Sequence, residues 1–287
     1  MVRTAVAFCP GHISGSFRRM VGESAALTGS AGAGIVISEG VRATARESDA
    51  PRVLVRRVAH DGSVIFEDRH SPPLEYVLAR MGAVAEVTTE CRLPIGAGFG
   101  LSAAALLSSI TAASALLSLG LTRPQIASLA HEAEIVHRTG LGDVAACQGG
   151  GMACRLGPGI DAGIRRTQSR GTVIAAVSTG PLASPAVLGD DALMARIASA
   201  FPAGCPESMQ AFFRDSRAFA EGSGIITPAV ARILDACDSS GIPASMTMLG
   251  EGVFACGKDA SAVLEEFGEV WKMSVSREGF RLLEMNS

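Results

Sequence analysis

The first 91 residues alternate hydrophobic and polar positions in the manner of β-strands. Short apolar runs are separated by turn residues, and Asp61-Gly62 is a strong hairpin dipeptide. The pattern predicts a short helix over 72–81 and strands over 3–9, 34–47, 52–58, 62–66 and 83–91. Pro10-Gly11 is predicted to end the first strand, because this pair is typical of turns.

The next part of the chain has longer apolar stretches with helical spacing. Residues 102–118 predict a buried helix, since serines and a threonine interrupt the run and exclude a membrane span. A second helix is predicted over 123–138, with Thr122 or Arg123 near its cap and Pro124 in its first turn. A strand is predicted to begin in GGGMACR, residues 149–155.

Between 157 and 170 the sequence becomes polar and rich in turn residues, which predicts a domain boundary. We therefore divide the chain into domains 1–165 and 166–287. In the second domain the pattern predicts strands over 171–178, 244–249, 252–256 and 270–276, and helices over 190–200, 206–221, 228–240 and 259–267. Mixed helices and strands in both halves predict an α+β fold.

Composition limits the classes of partner. The formal net charge is −3, so neither nucleic acid nor an anionic membrane surface is an expected partner. The seven cysteines are scattered, without a CxxC pair or zinc-ligand spacing. The N-terminal apolar run is too short for a signal peptide. We therefore predict a cytoplasmic protein with reduced cysteines.

Two further counts point towards the chemistry. Lysine occurs only at Lys258 and Lys272, and no Gly-Lys-Ser/Thr sequence exists, which excludes a Walker-type phosphate loop. Glycine occurs 33 times and is concentrated in the windows 11–34, 96–100 and 140–159. Glycine at such density favours close approach of the backbone to a ligand.

The middle window, PIGAGFGLSAAALLSSI at 94–110, joins a predicted strand to a predicted helix. Glycines at 96, 98 and 100 free the backbone to direct N–H groups inward, and the helix that Ser102 opens favours an anion at its N-terminus. The loop is thus either a phosphate-binding loop or a tight turn without a ligand. It is GxGxG rather than GxGxxG, and 114–122 contains no acidic residue, so a dinucleotide-binding loop is not expected.

The third window, HEAEIVHRTGLGDVAACQGGG at 131–151, carries ionisable residues. His131, Glu134 and Arg138 form one strip of the predicted helix, and Asp143 follows in a glycine-flanked turn. Glu134 and Arg138 could be an exposed ion pair, and Asp143 could cap the next short helix. The alternative is that Glu134 and Asp143 are functional carboxylates.

Together these segments resemble the GHMP kinases, the family of galactokinase, homoserine kinase and mevalonate kinase. The second motif of the family, Pro-x-x-x-Gly-x-Gly-x-Ser-Ala, is matched by 94–103, and Pro10-Gly11-His12 is similar to the first motif. The resemblance implies a two-domain α+β kinase with a ribosomal-S5-domain-2-like N-terminal domain and a ferredoxin-like C-terminal domain. The site would lie in the cleft between them.

More narrowly, several phrases resemble the archaeal pantoate kinases within that family. They are PGHISGSF at 10–17, TGSAGAG at 28–34, AHEAEIVHRTGLGDV at 130–144 and SMTMLGEGVFA at 245–255. The last phrase departs from the glycine-rich third motif of most GHMP kinases. Only Gly250 and Gly252 remain there, with Glu251 between them.

The resemblance implies ATP and Mg²⁺ as cofactors. The ATP phosphates would bind along the loop and helix start formed by Pro94, Gly96, Ala97, Gly98, Phe99, Gly100, Leu101 and Ser102. Ser102 and Glu134 would coordinate Mg²⁺, with Glu132 as a rival metal ligand. Asp143 would accept the proton of the substrate hydroxyl, or orient that hydroxyl.

The implied acceptor is the small molecule pantoate, whose carboxylate calls for an arginine. Arg155 is the expected ligand of that carboxylate, with His131, Thr28, Ser30 and His12 as further substrate-binding candidates. Homoserine, mevalonate, shikimate or a sugar is the alternative acceptor, and a non-catalytic ligand-sensing protein is the alternative class. A homodimer is possible.

Overall fold

The computed structural model describes residues 3–169, 171–182 and 187–286, and these build two sheets. The strands of the larger sheet are β1 (Thr4–Met20), β2 (Gly29–Glu47), β3 (Arg52–Val58), β4 (Val64–Asp68), β5 (Ala85–Cys91), β6 (Met152–Arg155), β7 (Ile164–Thr167) and β12 (Arg281–Asn286). Their order is β12-β1-β2-β5-β3-β4, and β6 and β7 extend the sheet from β2. The smaller sheet has the order β11-β8-β10-β9, formed by β8 (Val173–Gly180), β9 (Ala244–Met246), β10 (Glu251–Cys256) and β11 (Trp271–Ser274).

The helices of the described residues pack around these sheets. They are α1 (Pro72–Met81), α2 (Leu101–Leu116), α3 (Arg123–His137), α4 (Asp143–Cys147), α5 (Asp191–Ser199), α6 (Met209–Ser223), α7 (Pro228–Ser239) and α8 (Ala260–Leu264), with 3₁₀ turns at Ala25–Leu27 and Glu265–Phe267. Helix α2 packs on β1 and β2 and buries residues around its whole circumference, so it is the central helix of the first core. No helix of the described chain is long and apolar enough to cross a membrane.

Most predicted elements are present within a few residues of their expected ends. The hairpin turns at Gly62, which has a φ of 85°. Helix α3 begins at a capping box in which Thr122 accepts from the Gln125 backbone N–H and the Gln125 side chain accepts from the Thr122 N–H. The fold class is therefore confirmed as mixed helix and strand. The division of the chain at residue 165 stays a prediction.

The first strand differs from its prediction, because β1 continues through Pro10-Gly11 to Met20. The pairing register with β2 shifts between Pro10 and His12, so a bulge absorbs the irregularity that the sequence suggested was a turn. A Cβ added at Gly11 would lie 2.6 Å from the Phe99 carbonyl oxygen. Glycine is thus needed there because β1 runs directly against the loop at 94–100.

The prediction that the cysteines are reduced is wrong for two of them. Cys154 and Cys205 form a disulfide that joins β6 to the segment before α6, across a sequence separation of 51. Cys9, Cys91, Cys147, Cys237 and Cys256 are free thiols. The pairing depends on contact between distant segments, which cysteine spacing alone cannot reveal.

Candidate active site

The loop before α2 has the backbone geometry that its glycines suggested. Gly96, Gly98 and Gly100 have φ values of 80°, 82° and 63°, a region that residues with a side chain rarely adopt. Gly98 also touches the second half of the chain, since an added Cβ would lie 2.7 Å from the Met248 carbonyl oxygen. The three glycines therefore set the backbone conformation of the loop, and the segment at Met248 supports it.

The N-terminus of α2 faces the same space. Gly100 occupies its N-cap position, and no side chain caps the first turn, which leaves backbone N–H groups for a ligand. Ser102 lies in that turn and lines the cavity described below. A 16-residue helix directs the positive end of its dipole here, so the position suits an anion such as a phosphate group.

Glu134 lies fully buried on α3. Neither carboxylate oxygen forms a hydrogen bond of normal geometry with the residues that the structure describes. Burial, together with the nearby charge of Asp143, raises the pKa of Glu134 well above its ordinary value, and the proximity of the Ser102 hydroxyl and the Val144 backbone N–H partly opposes the rise. An exposed ion pair with Arg138 is therefore excluded, and the carboxylate lacks the partner that its burial requires.

Glu132, the rival metal ligand, faces the opposite side of α3. Its carboxylate accepts from the Tyr76 hydroxyl at 2.6 Å and forms an ion pair with Arg80 at 3.3 Å. Both partners belong to α1, so Glu132 joins two helices. Its carboxylate is already satisfied, whereas that of Glu134 is not.

Asp143 begins α4 and is held by His12 from β1. The His12 Nδ1 lies 2.6 Å from Asp143 Oδ1, and the Ser14 hydroxyl lies 3.5 Å from the same oxygen. Burial alone would raise the pKa of Asp143, but hydrogen bonds from His12 and Ser14 and the charge of Arg155 lower it overall. Burial also lowers the pKa of His12, so the neutral ring donates its Nδ1–H to an ionised carboxylate.

Arg155 ends β6 and is 2% exposed. Its Nε and one Nη donate to the backbone and hydroxyl oxygens of Ser30 at 3.4 and 3.5 Å, whereas Nη1 is buried without a partner in the described chain. A Cβ at Gly142 would lie 2.5 Å from Arg155 Nε, so glycine there admits the guanidinium beside Asp143. A buried cation with a free donor is a site for an anionic group.

One cavity of about 470 Å³ joins the glycine loop, Asp143 and Arg155, whereas the buried Glu134 is not among its lining residues. Its polar end contains Ser102, Asp143, Arg155, Ser30 and Ser14. The other end is largely apolar and is lined by residues of β2 to β5 and the start of α1, which include Val41, Val55, Phe66, Pro72, Leu74, Thr89 and Cys91. The volume is in the range of sites for small molecules and cofactors.

Some sequence-predicted residues lie outside this cavity lining. The Thr28 hydroxyl bonds the Gly22 backbone, and the His131 Nε2 lies 2.9 Å from the Thr28 carbonyl oxygen. These two residues therefore brace the segment before β2. His12 does not line the cavity either, and it contacts the site through Asp143. Pro94 and Ala97 belong to the loop but not to the cavity lining.

The cavity also includes residues that the sequence did not single out. Ser14, Phe17, Leu141, Leu182, Met248 and Leu249 belong to its lining. Ser14 and Phe17 lie within the phrase PGHISGSF, which was a signal of their position. Leu141, Met248 and Leu249 likewise lie within the phrases at 130–144 and 245–255, whereas Leu182 comes from a segment without such a phrase.

Comparison with known proteins places this geometry in a family. Residues 72–151 match the family described as GHMP kinases N terminal domain. The chain is 43% identical over 277 residues to a pantoate kinase of Methanospirillum hungatei, covering 96% of each chain. A pantoate kinase of Thermococcus kodakarensis is 32% identical and covers 89% of this chain and 88% of its own.

A solved structure agrees with this match along nearly the whole chain. It is called a phosphotransferase related to the CoA biosynthesis pathway, and it has a TM-score of 0.81 at 26% identity. The similarity covers 97% of this chain and 98% of that protein. The glycine loop, the carboxylates and the buried arginine thus lie in a chain that belongs to the pantoate kinase family of the GHMP kinases.

Proposed function

We propose that this protein transfers the γ-phosphoryl group of ATP to the primary hydroxyl of pantoate, giving 4-phosphopantoate for coenzyme A synthesis. The observation that carries the proposal is the single cavity that joins Asp143, Arg155 and the first turn of α2. These supply a proton acceptor, a cation for the acceptor carboxylate and an anion site for phosphates. The relatives named pantoate kinase support the choice of acceptor.

The loop and the apolar end of the cavity suggest an orientation for ATP. Its phosphates would lie over Gly96–Ser102, where backbone N–H groups replace the lysine of a Walker loop. Lys272 pairs with Glu265 on the surface, and neither lysine lines the cavity. The apolar end between Val55, Phe66 and Leu74 suits the adenine ring.

The residues present fit Mg²⁺ when phosphates are bound. The described chain has no group of three or more His, Cys, Asp or Glu side chains that could hold a metal by themselves. Mg²⁺, however, usually takes one or two carboxylates with waters and phosphate oxygens. The unpartnered Glu134 carboxylate and the Ser102 hydroxyl would hold it, and the ion would neutralise charge on the phosphates.

The chain's own residues then position the acceptor for transfer. The C4 hydroxyl oxygen of pantoate forms a bond to the γ-phosphorus while the bond from that phosphorus to the β,γ-bridging oxygen breaks, and ADP leaves. Asp143 receives the hydroxyl proton, because its lowered pKa keeps it ionised. Arg155 binds the carboxylate at the other end of the acceptor through its free donor.

The acceptor assignment is tested by ADP release in a coupled assay with ATP and Mg²⁺. Pantoate, homoserine, mevalonate, shikimate and a sugar are compared as acceptors. We expect the highest kcat/KM for pantoate, with phosphate on its primary hydroxyl. A higher value for another acceptor would reassign the substrate, and nucleotide binding without ADP release on any of them would indicate a ligand-sensing protein.

The proposed role of Arg155 predicts a selective loss of acceptor binding. Arg155→Gln removes the cation from a buried site, so KM for pantoate should rise by about 30-fold or more, as expected for loss of one partner of a buried charged pair. KM for ATP should stay within about twofold, because Arg155 belongs to the acceptor end. Equal losses for both substrates would contradict this role.

Three further expectations belong to the proposal. The family resemblance and the archaeal sources of the relatives favour an archaeal origin and a cytoplasmic enzyme. The chain is proposed to form a homodimer. The exposed edge strand β12 supports this, since Leu282, Leu283 and Met285 are 39–49% exposed.

A further inference from the structure

Leu249 has an unusual backbone conformation beside the active site. It lies between β9 and β10 in the phrase SMTMLGEGVFA and has a φ of 58°. This left-handed region is unfavourable for a leucine and is freely available to glycine. The position therefore keeps a large side chain where a glycine would relieve the backbone, which indicates that the side chain itself has a use.

The surrounding contacts fix where this residue lies. A Cβ at the following Gly250 would be 2.2 Å from the backbone of Ala97, and the Met248 carbonyl oxygen is close to Gly98. The segment around Leu249 is thus pressed against the phosphate loop. Leu249 lines the same cavity as Asp143 and Arg155.

The acceptor end of the cavity has polar and apolar sides. Phe17 pairs with Gly32 in the sheet, and Gly32 pairs with Arg155, so Phe17 is two strands away from the guanidinium. Leu141 and Leu249 pack against the buried apolar cluster that contains Phe17. All three residues line the cavity, so they give it an apolar surface in addition to the charged groups of Arg155 and Asp143.

We propose that Leu249 is a specificity-determining residue that contacts the quaternary carbon of the acceptor. The inference rests on the proposed function, since pantoate carries two methyl groups on C3, between its carboxylate end and its reacting hydroxyl. Arg155 and Asp143 recognise the two ends of the molecule, and neither distinguishes a dimethyl carbon from CH₂. The apolar side formed by Phe17, Leu141 and Leu249 makes that distinction.

The test compares pantoate with 2,4-dihydroxybutanoate, which lacks both methyl groups. Leu249→Gly removes the side chain and permits the observed φ, whereas Leu249→Asn tolerates that φ with a polar side chain of similar size. We expect each variant to lower the kcat/KM preference for pantoate over the analogue by about tenfold or more. KM for ATP should change little.

Ser118→Gly is the matched control, since Ser118 has a φ of 54° at the end of α2 and does not line the cavity. It should leave the preference for pantoate unchanged. An unchanged preference in both folded Leu249 variants would overturn the inference and leave the proposed function intact. A wild-type protein without activity on pantoate would overturn the proposed function, and the inference with it.

Discussion

At the scale of single residues, the His12–Asp143 pair shows how a buried strand tunes a candidate base. The His12 ring donates to Asp143, and its backbone N–H donates to the Phe99 carbonyl oxygen at 2.9 Å. A Cβ at Gly34 would lie 2.2 Å from His12 Nε2, so the ring occupies the space that glycine leaves free at this position. One residue therefore holds both the carboxylate and the phosphate loop.

This arrangement predicts a pH effect when His12 is replaced. His12→Leu removes a hydrogen bond that stabilises the Asp143 carboxylate, so the pKa of Asp143 should rise. Because the base must be ionised, the acid limb of kcat/KM should move to higher pH, with kcat about tenfold lower. His12→Asn, whose amide can still donate, should recover part of both.

Asp143→Asn provides the reference for this experiment. It removes the base and should lower kcat by about 10²- to 10⁴-fold without loss of folding. Adding His12→Leu to it should then change the rate little, because the positioned group is already absent. A fall in kcat for His12→Leu with an unmoved acid limb would show that His12 supports only the fold.

At the scale of elements, the sequence predicted the helices, strands and turns that are determined by residues close together in the chain. The hairpin at Asp61-Gly62, the capped start of α3 and the glycine loop before α2 depend on neighbouring residues, and all are present. Strand β12 was missed because Arg281–Asn286 is exposed at every position and lacks alternation. Among the described strands it pairs only with β1, from the other end of the chain.

The candidate site follows the same division. Ser102, Glu134 and Asp143 were proposed from the family resemblance, whose motifs lie within one stretch of chain, and Ser102 and Asp143 line the cavity. The preference for Glu134 over Glu132 is supported by burial, which spacing could not supply. Leu182 and Leu249 reach the cavity from the second half of the chain, and no local pattern predicts such a contact.

The loop before α2 gives a prediction for a whole element. Gly98→Ala introduces a Cβ 2.7 Å from the Met248 carbonyl oxygen at a φ of 82°, so the loop must move away from the segment that supports it. We expect kcat/KM for ATP to fall by about tenfold or more, since loop N–H groups would no longer be aligned with the phosphates. Steady-state kinetics at saturating acceptor measures this.

Gly120→Ala is the matched control for that change. Gly120 also has a positive φ, of 66°, and an added Cβ there would meet no described atom within 4 Å. It should cost about 1 kcal/mol of stability from backbone strain and leave the kinetics unchanged. Similar kinetic losses in both variants would indicate that strain, and not contact with Met248, controls the loop.

At the scale of the whole molecule, two apolar cores share the smaller sheet and α6. One core lies between α2 and the larger sheet and extends to Phe212, Phe254 and Trp271, and the other lies between the smaller sheet and helices α5 to α7. The Cys154–Cys205 disulfide ties β6, and hence the strand of Arg155, to the segment before α6. Phe17 from β1 packs in the second core and contacts Phe219 edge-to-face, which joins the same regions without a covalent bond.

The disulfide predicts that stability depends on redox conditions. Cross-linking residues separated by 51 positions restricts the unfolded chain, which corresponds to about 4 kcal/mol of stability. Reductant should therefore lower the free energy of unfolding of the wild type, measured with urea, by up to about this amount. Cys205→Ser should be less stable from the start and insensitive to reductant, whereas Cys256→Ser, which changes a free thiol, should keep the wild-type response.

Thiol titration of the unreduced, denatured wild type should find five thiols, because the other two of the seven cysteines are paired. Seven thiols, with an unfolding curve that reductant does not move, would mean that the two halves are held together by packing alone.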